Sequence, residues 1–238
     1  TGAPQHIGIE PPTYQLPEAT RLGRVRLQIA DLTRSLSFYE DILGLRTVGR
    51  LDGRVVLGPQ ETDTPLVELA EQPGAEARPR HGRLGLYHFA LLLPGREALG
   101  QFVRHLAEED VRVGMSDHRV SEAVYLTDPD GLGIEVYADR PRAEWEQSDD
   151  GEISMATEPL DKESLLKASP TAPWTGMPAG TTVGHVHLHV GDLGRAEAFY
   201  HEALGFGKTV WSYPGALFLS AGGYHHHLGA NTWNERSE

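Results

Sequence analysis

The 238-residue chain contains no cysteine. Disulfides, thiolate nucleophiles and zinc–cysteine sites are therefore excluded. Any metal must be held by His, Asp or Glu. Basic residues are scarce: 21 Lys and Arg stand against 34 Asp and Glu, a net charge of −13. Nucleic-acid binding needs clustered positive charge, so that partner class is not expected. The one basic cluster, ARPRHGR at 77–83, reads as a solvated loop. No apolar run approaches the ~20 residues of a membrane helix. The first 20 residues lack the basic and apolar regions of a secretory signal, so a cytoplasmic protein is expected. Also missing are a GxSxG elbow, a GxGxxG fingerprint and a phosphate loop. Present in quantity are turn formers, with 16 Pro and 27 Gly, and 12 His.

The chain repeats itself. GRVRLQIADLTRSLSFYEDILG (23–44) aligns without gaps on GHVHLHVGDLGRAEAFYHEALG (184–205), and ten of 22 positions are identical. Each copy opens with an alternating strand. Asp31 and Asp192 are placed to cap a following helix, which Gly44 and Gly205 end. Phe38, Tyr39 and Leu43 in one copy, and Phe199, Tyr200 and Leu204 in the other, are expected on the inward side. Short strands follow. A third unit with the same element order lies between: strand 85–93, an amphipathic helix 96–109, then strands 122–128 and 132–139 joined by the turn Asp128-Pro129-Asp130-Gly131. From 140 to about 181 the chain is acidic and rich in Pro, Ser and Thr, as a linker is.

DLTRSLSFYEDILGL, DLGRAEAFYHEALGF and DPDGLGIEVY resemble motifs of the vicinal oxygen chelate superfamily of glyoxalases, bleomycin-resistance proteins and extradiol dioxygenases. GLYHFALLLP, SDHRVSEAVYLTDPDGLGIEVYADRPRAEW and AGGYHHHLGANTW are similar to two-domain catechol-2,3-dioxygenase-like bacterial proteins. The resemblance implies an α+β fold of tandem βαβββ modules that pair into cup-shaped mixed sheets. Three modules are visible where the resemblance implies four. The expected organisation is an N-terminal extension (1–22) and a first domain (23–140) pairing modules 23–72 and 84–140. A linker (141–181) and a third module (182–238), half of a second domain, follow. An unpaired third module implies either a lost segment or a homo-oligomer.

The resemblance also implies ligand positions, at the first and last strand of each module. In the first pair these are Arg24, Glu68, His88 and Glu135. Arg24 cannot ligate in the ordinary way, and could instead pair with Glu68. In the third module they are His185 and, in YHHHLGAN, His227. That choice follows from alternation, which sets His225, His227 and Asn231 toward the cup and His226 away. His118 is expected as a proton shuttle at the mouth of the first cup. Tyr137 shares the face of Glu135.

The implied cofactor is a divalent metal, Fe(II) first, with Mn(II), Zn(II) or Ni(II) as alternatives. The implied activity is extradiol cleavage of a small aromatic diol. A glyoxalase or epimerase reaction and non-catalytic ligand binding are the alternatives.

Overall fold

A computed structural model describes residues 7–77, 79 and 82–234. Three residues of the basic 77–83 stretch lie outside the described residues, as do the ends of the N-terminal extension and of the third module.

Module one contributes β1 (Val25–Ile29), α1 (Leu32–Ser37), β2 (Arg46–Leu51), β3 (Arg54–Gly58) and β4 (Val67–Glu71). Module two contributes β5 (Gly85–Leu92), α2 (Arg96–Glu108), β6 (Gly114–Asp117), β7 (Ser121–Thr127) and β8 (Gly133–Asp139). A helix α3 (Lys162–Ala168) lies in the intervening segment. Module three contributes β9 (Thr182–His189), α4 (Leu193–Glu197), β10 (Gly207–Val210), β11 (Ala216–Ser220) and β12 (Leu228–Asn231).

The repeat is carried into local geometry. Asp31 and Asp192 cap their helices by accepting from Arg34 N (2.8 Å) and Arg195 N (2.7 Å). Both helices then widen into a π turn, at Phe38–Ile42 and Ala198–Ala203. Gly44 and Gly205 follow at φ +72° and +90°, the left-handed conformation that suits glycine. The two copies differ in burial. Tyr39 and Leu43 are fully buried, whereas Phe199 and Leu204 are exposed, so of the inward side expected for α4 and its π turn only Tyr200 packs against the module-three core.

The modules pair differently from the sequence expectation. Module one forms a four-stranded sheet by itself, ordered β1-β4-β3-β2. Modules two and three share one eight-stranded sheet, ordered β10-β11-β12-β9-β5-β8-β7-β6. Its seam is the antiparallel pair β5–β9. The physical reason lies in the first strands. GLYHFALL and TVGHVHLH carry no Asp, Glu, Lys or Arg and run eight residues each, so they can be buried side by side. β1 is shorter and carries Arg26, with Arg24 just before it, and charge on a strand marks a sheet edge. The third module is thus paired, and it is module one whose sheet stands alone among the described residues.

Module one is held to module two through its other face. Leu27, Ile29, Tyr39 and Leu69 join Phe89, Leu91, Phe102 and Val136 in one hydrophobic core. The Asp128 turn adds a polar lock. Asp128 accepts from Asp130 N, Leu132 N and, across the module boundary, the Tyr39 hydroxyl at 3.0 Å. Asp130 accepts from Ala30 N and pairs with Arg34. Tyr39→Phe is therefore expected to cost about 1–2 kcal/mol of stability. An unchanged urea midpoint would reject the lock.

The segment 141–181 does more than link. It pairs with β6 at Asp117 and Glu158, and Ile153 packs with Trp145 and Val210. Residues 155–157 thereby line the shared cup. Among the described residues, no helix is long and apolar enough to cross a membrane.

Candidate metal centre

The seam of the large sheet brings three chelating side chains together. Ala90 on β5 sits opposite Glu135 of β8 on one side and opposite His185 of β9 on the other. His88 lies two residues before Ala90, on the same face. Ala90 has only a methyl group, so its neighbours can lean over it. The Nε2 atoms of His88 and His185 lie 3.1 and 3.0 Å from the same oxygen, Glu135 Oε2. All three residues are buried, and their ligand atoms lie within 4.8 Å of one another.

Two observations test whether this set suits a metal. His88 Nε2 is buried and makes no hydrogen bond despite its closeness to Glu135, so its geometry is wrong for donation to the carboxylate. A buried polar atom without a partner calls for an explanation, and a ligated ion is one. Second, two imidazoles and one carboxylate with room beside them form the facial set of non-heme Fe(II) sites. The residues fit a divalent metal.

The electrostatics agree. Burial alone would raise the Glu135 pKa, but His185 and His88 outweigh it and hold the carboxyl well below its usual range. Burial lowers the pKa of His185 and, further, those of His187 and His226. The site thus favours the Glu135 carboxylate and the neutral His185 ring, the forms that ligate.

Beside the three ligands is a cavity of about 260 Å³. Its walls include Tyr87, Tyr125, Tyr213, Phe218 and Trp233, together with Met155 and Thr157. Ligand pockets of drug-sized molecules run from about 300 Å³ upward, so this one suits a single small ring. His118 also lines it. Its Nδ1 donates to Ala156 O at 2.7 Å, so its Nε2 accepts from the Tyr125 hydroxyl at 2.6 Å. Burial, then Glu135, push the Tyr125 pKa up, which keeps that hydroxyl a donor.

Several expected site residues lie elsewhere. Glu68, on β4 of the module-one sheet, is buried beneath three arginines. It meets Arg24 at 2.8 Å, Arg54 at 3.2 Å and Arg26 at 3.3 Å, and is not part of the three-residue cluster. Tyr137 is fully buried behind His185 and bonds the Tyr224 hydroxyl at 2.7 Å. His227 lines a different cavity, with Arg21 and Gly184, and its pKa falls to about 4 through burial first and Arg21 second.

His226, not His227, faces the cup. Alternation from Tyr224 onward requires a strand there. The strand begins only at Leu228, and the preceding Gly222 and Gly223 turn the chain at φ +60°. Paired glycines before the histidines were the signal for a turn. At the register position matching Glu135, module three has Gly229, where a Cβ would lie 3.0 Å from the His187 ring. Asn231 bridges His187 and His189 at 2.9 and 2.7 Å.

Fold and site together define a βαβββ-module protein with a buried two-histidine, one-carboxylate centre. The chain belongs to the Glyoxalase/Bleomycin resistance protein/Dioxygenase superfamily, whose family model matches residues 21–136 and 182–236. A catechol-2,3-dioxygenase from Bacillus subtilis (strain 168) is 45% identical over 222 residues, 92% of this chain and 77% of that protein. A lactoylglutathione lyase from Neisseria meningitidis serogroup A is 28% identical over 48% of this chain and 88% of its own length. Among solved structures, a putative dioxygenase from Bacillus subtilis is 16% identical over 91% of this chain and 86% of that one, with a TM-score of 0.44.

Proposed function

We propose that this chain is a metal-dependent extradiol dioxygenase that cleaves a small aromatic diol next to its two hydroxyls. The observation that carries the reading is the convergence of His88, His185 and Glu135 beside a cavity walled by aromatic rings. The catechol-2,3-dioxygenase relative supports it. His88, His185 and Glu135 would hold the ion, and Fe(II) fits that donor set best. Bound there, Fe(II) supplies the Lewis-acid and redox chemistry of the reaction. A catechol and O2 give a ring-opened semialdehyde that keeps both oxygen atoms.

The chain's own residues handle orientation and protons. The aromatic walls and Met155 exclude water and stack on the ring. His226 turns Nδ1 toward His225, which leaves Nε2 on the other side of its ring, where it can take a hydroxyl proton from the substrate. His118 and Tyr125 form a second proton-handling pair on the opposite wall. Asn231 fixes the His187 ring behind the metal site.

The test is anaerobic reconstitution with Fe(II), followed by metal analysis and assay on catechol in air. About one iron per chain and a ring-opened product are expected. Iron without product would sink the dioxygenase reading. Preferential uptake of Zn(II) or Ni(II), with activity on a 2-oxoaldehyde thiol adduct, would favour the glyoxalase class to which the Neisseria relatives belong by name.

A further inference from the structure

Behind the cup wall lies a hydrogen-bonded chain that the metal site does not use. Glu135, Tyr137 and Asp139 alternate along β8 and share one face. The first is a metal-site residue. The last, at the strand's end, accepts from His225 Nε2 at 2.8 Å. Asp139 also accepts from the Tyr224 hydroxyl at 3.1 Å, and Tyr137 donates to Tyr224 at 2.7 Å. His225 is fully buried, with its ring against Tyr224 at 4.0 Å and edge-on to Trp145 at 5.3 Å. Its other nitrogen, Nδ1, lies 2.7 Å from His226 Nδ1.

A nitrogen pair at that distance needs one donor and one acceptor. The Asp139 carboxylate can only accept, so a neutral His225 carries its proton on Nε2. Its Nδ1 then holds a lone pair, and His226 must donate from Nδ1. The proton of a neutral His226 is thereby assigned to Nδ1, and Nε2 is left bare.

We infer that Asp139 and His225 are positioning residues that fix the tautomer and ring orientation of His226, so that its Nε2 meets the substrate as a lone pair. Their catalytic consequence rests on the dioxygenase reading, whereas the tautomer itself does not. A carboxylate that sets an imidazole's tautomer through its far nitrogen is an established device for making a histidine a base. Here the device has one more link, since a second histidine transmits the choice. It also ties the base to the strand that carries Glu135, so metal site and base are held in one register.

Long-range proton–nitrogen NMR of the 15N-histidine-labelled, metal-free full chain tests this, with His226 assigned by comparison with His226→Gln. In the wild type, His226 is expected to carry its proton on Nδ1. Asp139→Ala should give a mixture of tautomers. In the iron-loaded protein it should lower kcat about 10–100-fold, as loss of an outer partner does, with KM and iron content kept. Asp139→Asn, whose amide oxygen can still accept from His225, should restore both tautomer and most of kcat. A wild-type His226 protonated on Nε2 would overturn the inference, and needs no variant to fold. So would an Asp139→Ala protein with unchanged tautomer, or equal losses in the Ala and Asn variants. If the chain cleaves no catechol but the spectra behave as expected, the dioxygenase reading falls and the tautomer device stands.

Discussion

Replacing His88 or His185 with alanine, or Glu135 with glutamine, is expected to abolish tight metal binding. Each residue would supply one of the three ligand atoms gathered there among the described residues, with both imidazole nitrogens about 3 Å from one Glu135 oxygen. Loss of an outer-shell partner already costs about 10–100-fold in metal affinity or activity, and loss of a ligand exceeds that. Iron per chain should fall from about one to background after desalting, and turnover with it. Thermal unfolding gives a second readout. Metal bound only by the folded state adds about 2.7 kcal/mol at a hundred times its dissociation constant. Iron should therefore raise the melting temperature of the wild type and leave the three variants unmoved. Without metal, Glu135→Gln should unfold at a lower temperature than the wild type, because His185 and His88 favour the buried carboxylate and that stabilisation is lost with the charge. Glu68→Gln and His227→Ala provide the contrast. Both positions carry the right residue type for the family pattern, yet both lie outside the cluster. Their iron content should match the wild type. Loss of iron in Glu68→Gln alone would move the centre to module one and reject the site described above.

That contrast shows where sequence reasoning reached its limit. The repeat, the helix caps and the turn at Asp128 are local, and local chemistry made them legible. Asp31 and Asp192 cap their helices because a short acceptor before an apolar periodic run has one good use. Which modules share a cup is not local. His88 and His185 are each identifiable by register, but pairing of neighbouring modules puts them in different cups, whereas the fold joins modules two and three. The decisive property was the edge character of three first strands, and comparing their charge would have separated β1 from β5 and β9. His226 was lost for another reason. Period-two alternation holds only inside a strand, and two glycines at φ +60° placed the three histidines in a turn. The cavity walls are not legible beforehand, because Met155, Tyr213 and Trp233 come from three segments that meet only in the folded chain.

His226→Ala should separate chemistry from metal binding. His226 is no ligand, so iron content and the iron-induced rise in melting temperature should both survive. Burial, then His185 and His225, hold its pKa well below the usual value, so the ring enters the reaction neutral and able to accept a proton. A general base in reach of the proton it removes contributes about 10²–10⁴-fold, and kcat should fall by that order while KM changes little. Tyr125→Phe probes the opposite wall. Its hydroxyl is held as a donor by burial and by Glu135, and its present acceptor is His118. The Phe ring keeps the wall and removes only the donor, so a loss of kcat without loss of iron would make Tyr125 a hydrogen-bond donor to the reacting oxygens. If the two hydroxyl protons of the diol leave by separate routes, the double variant should lose roughly the product of the single losses. Losses that fail to multiply would mean one shared route. Full activity in His226→Ala would remove the base from the mechanism and with it the reason for the buried histidine pair behind it.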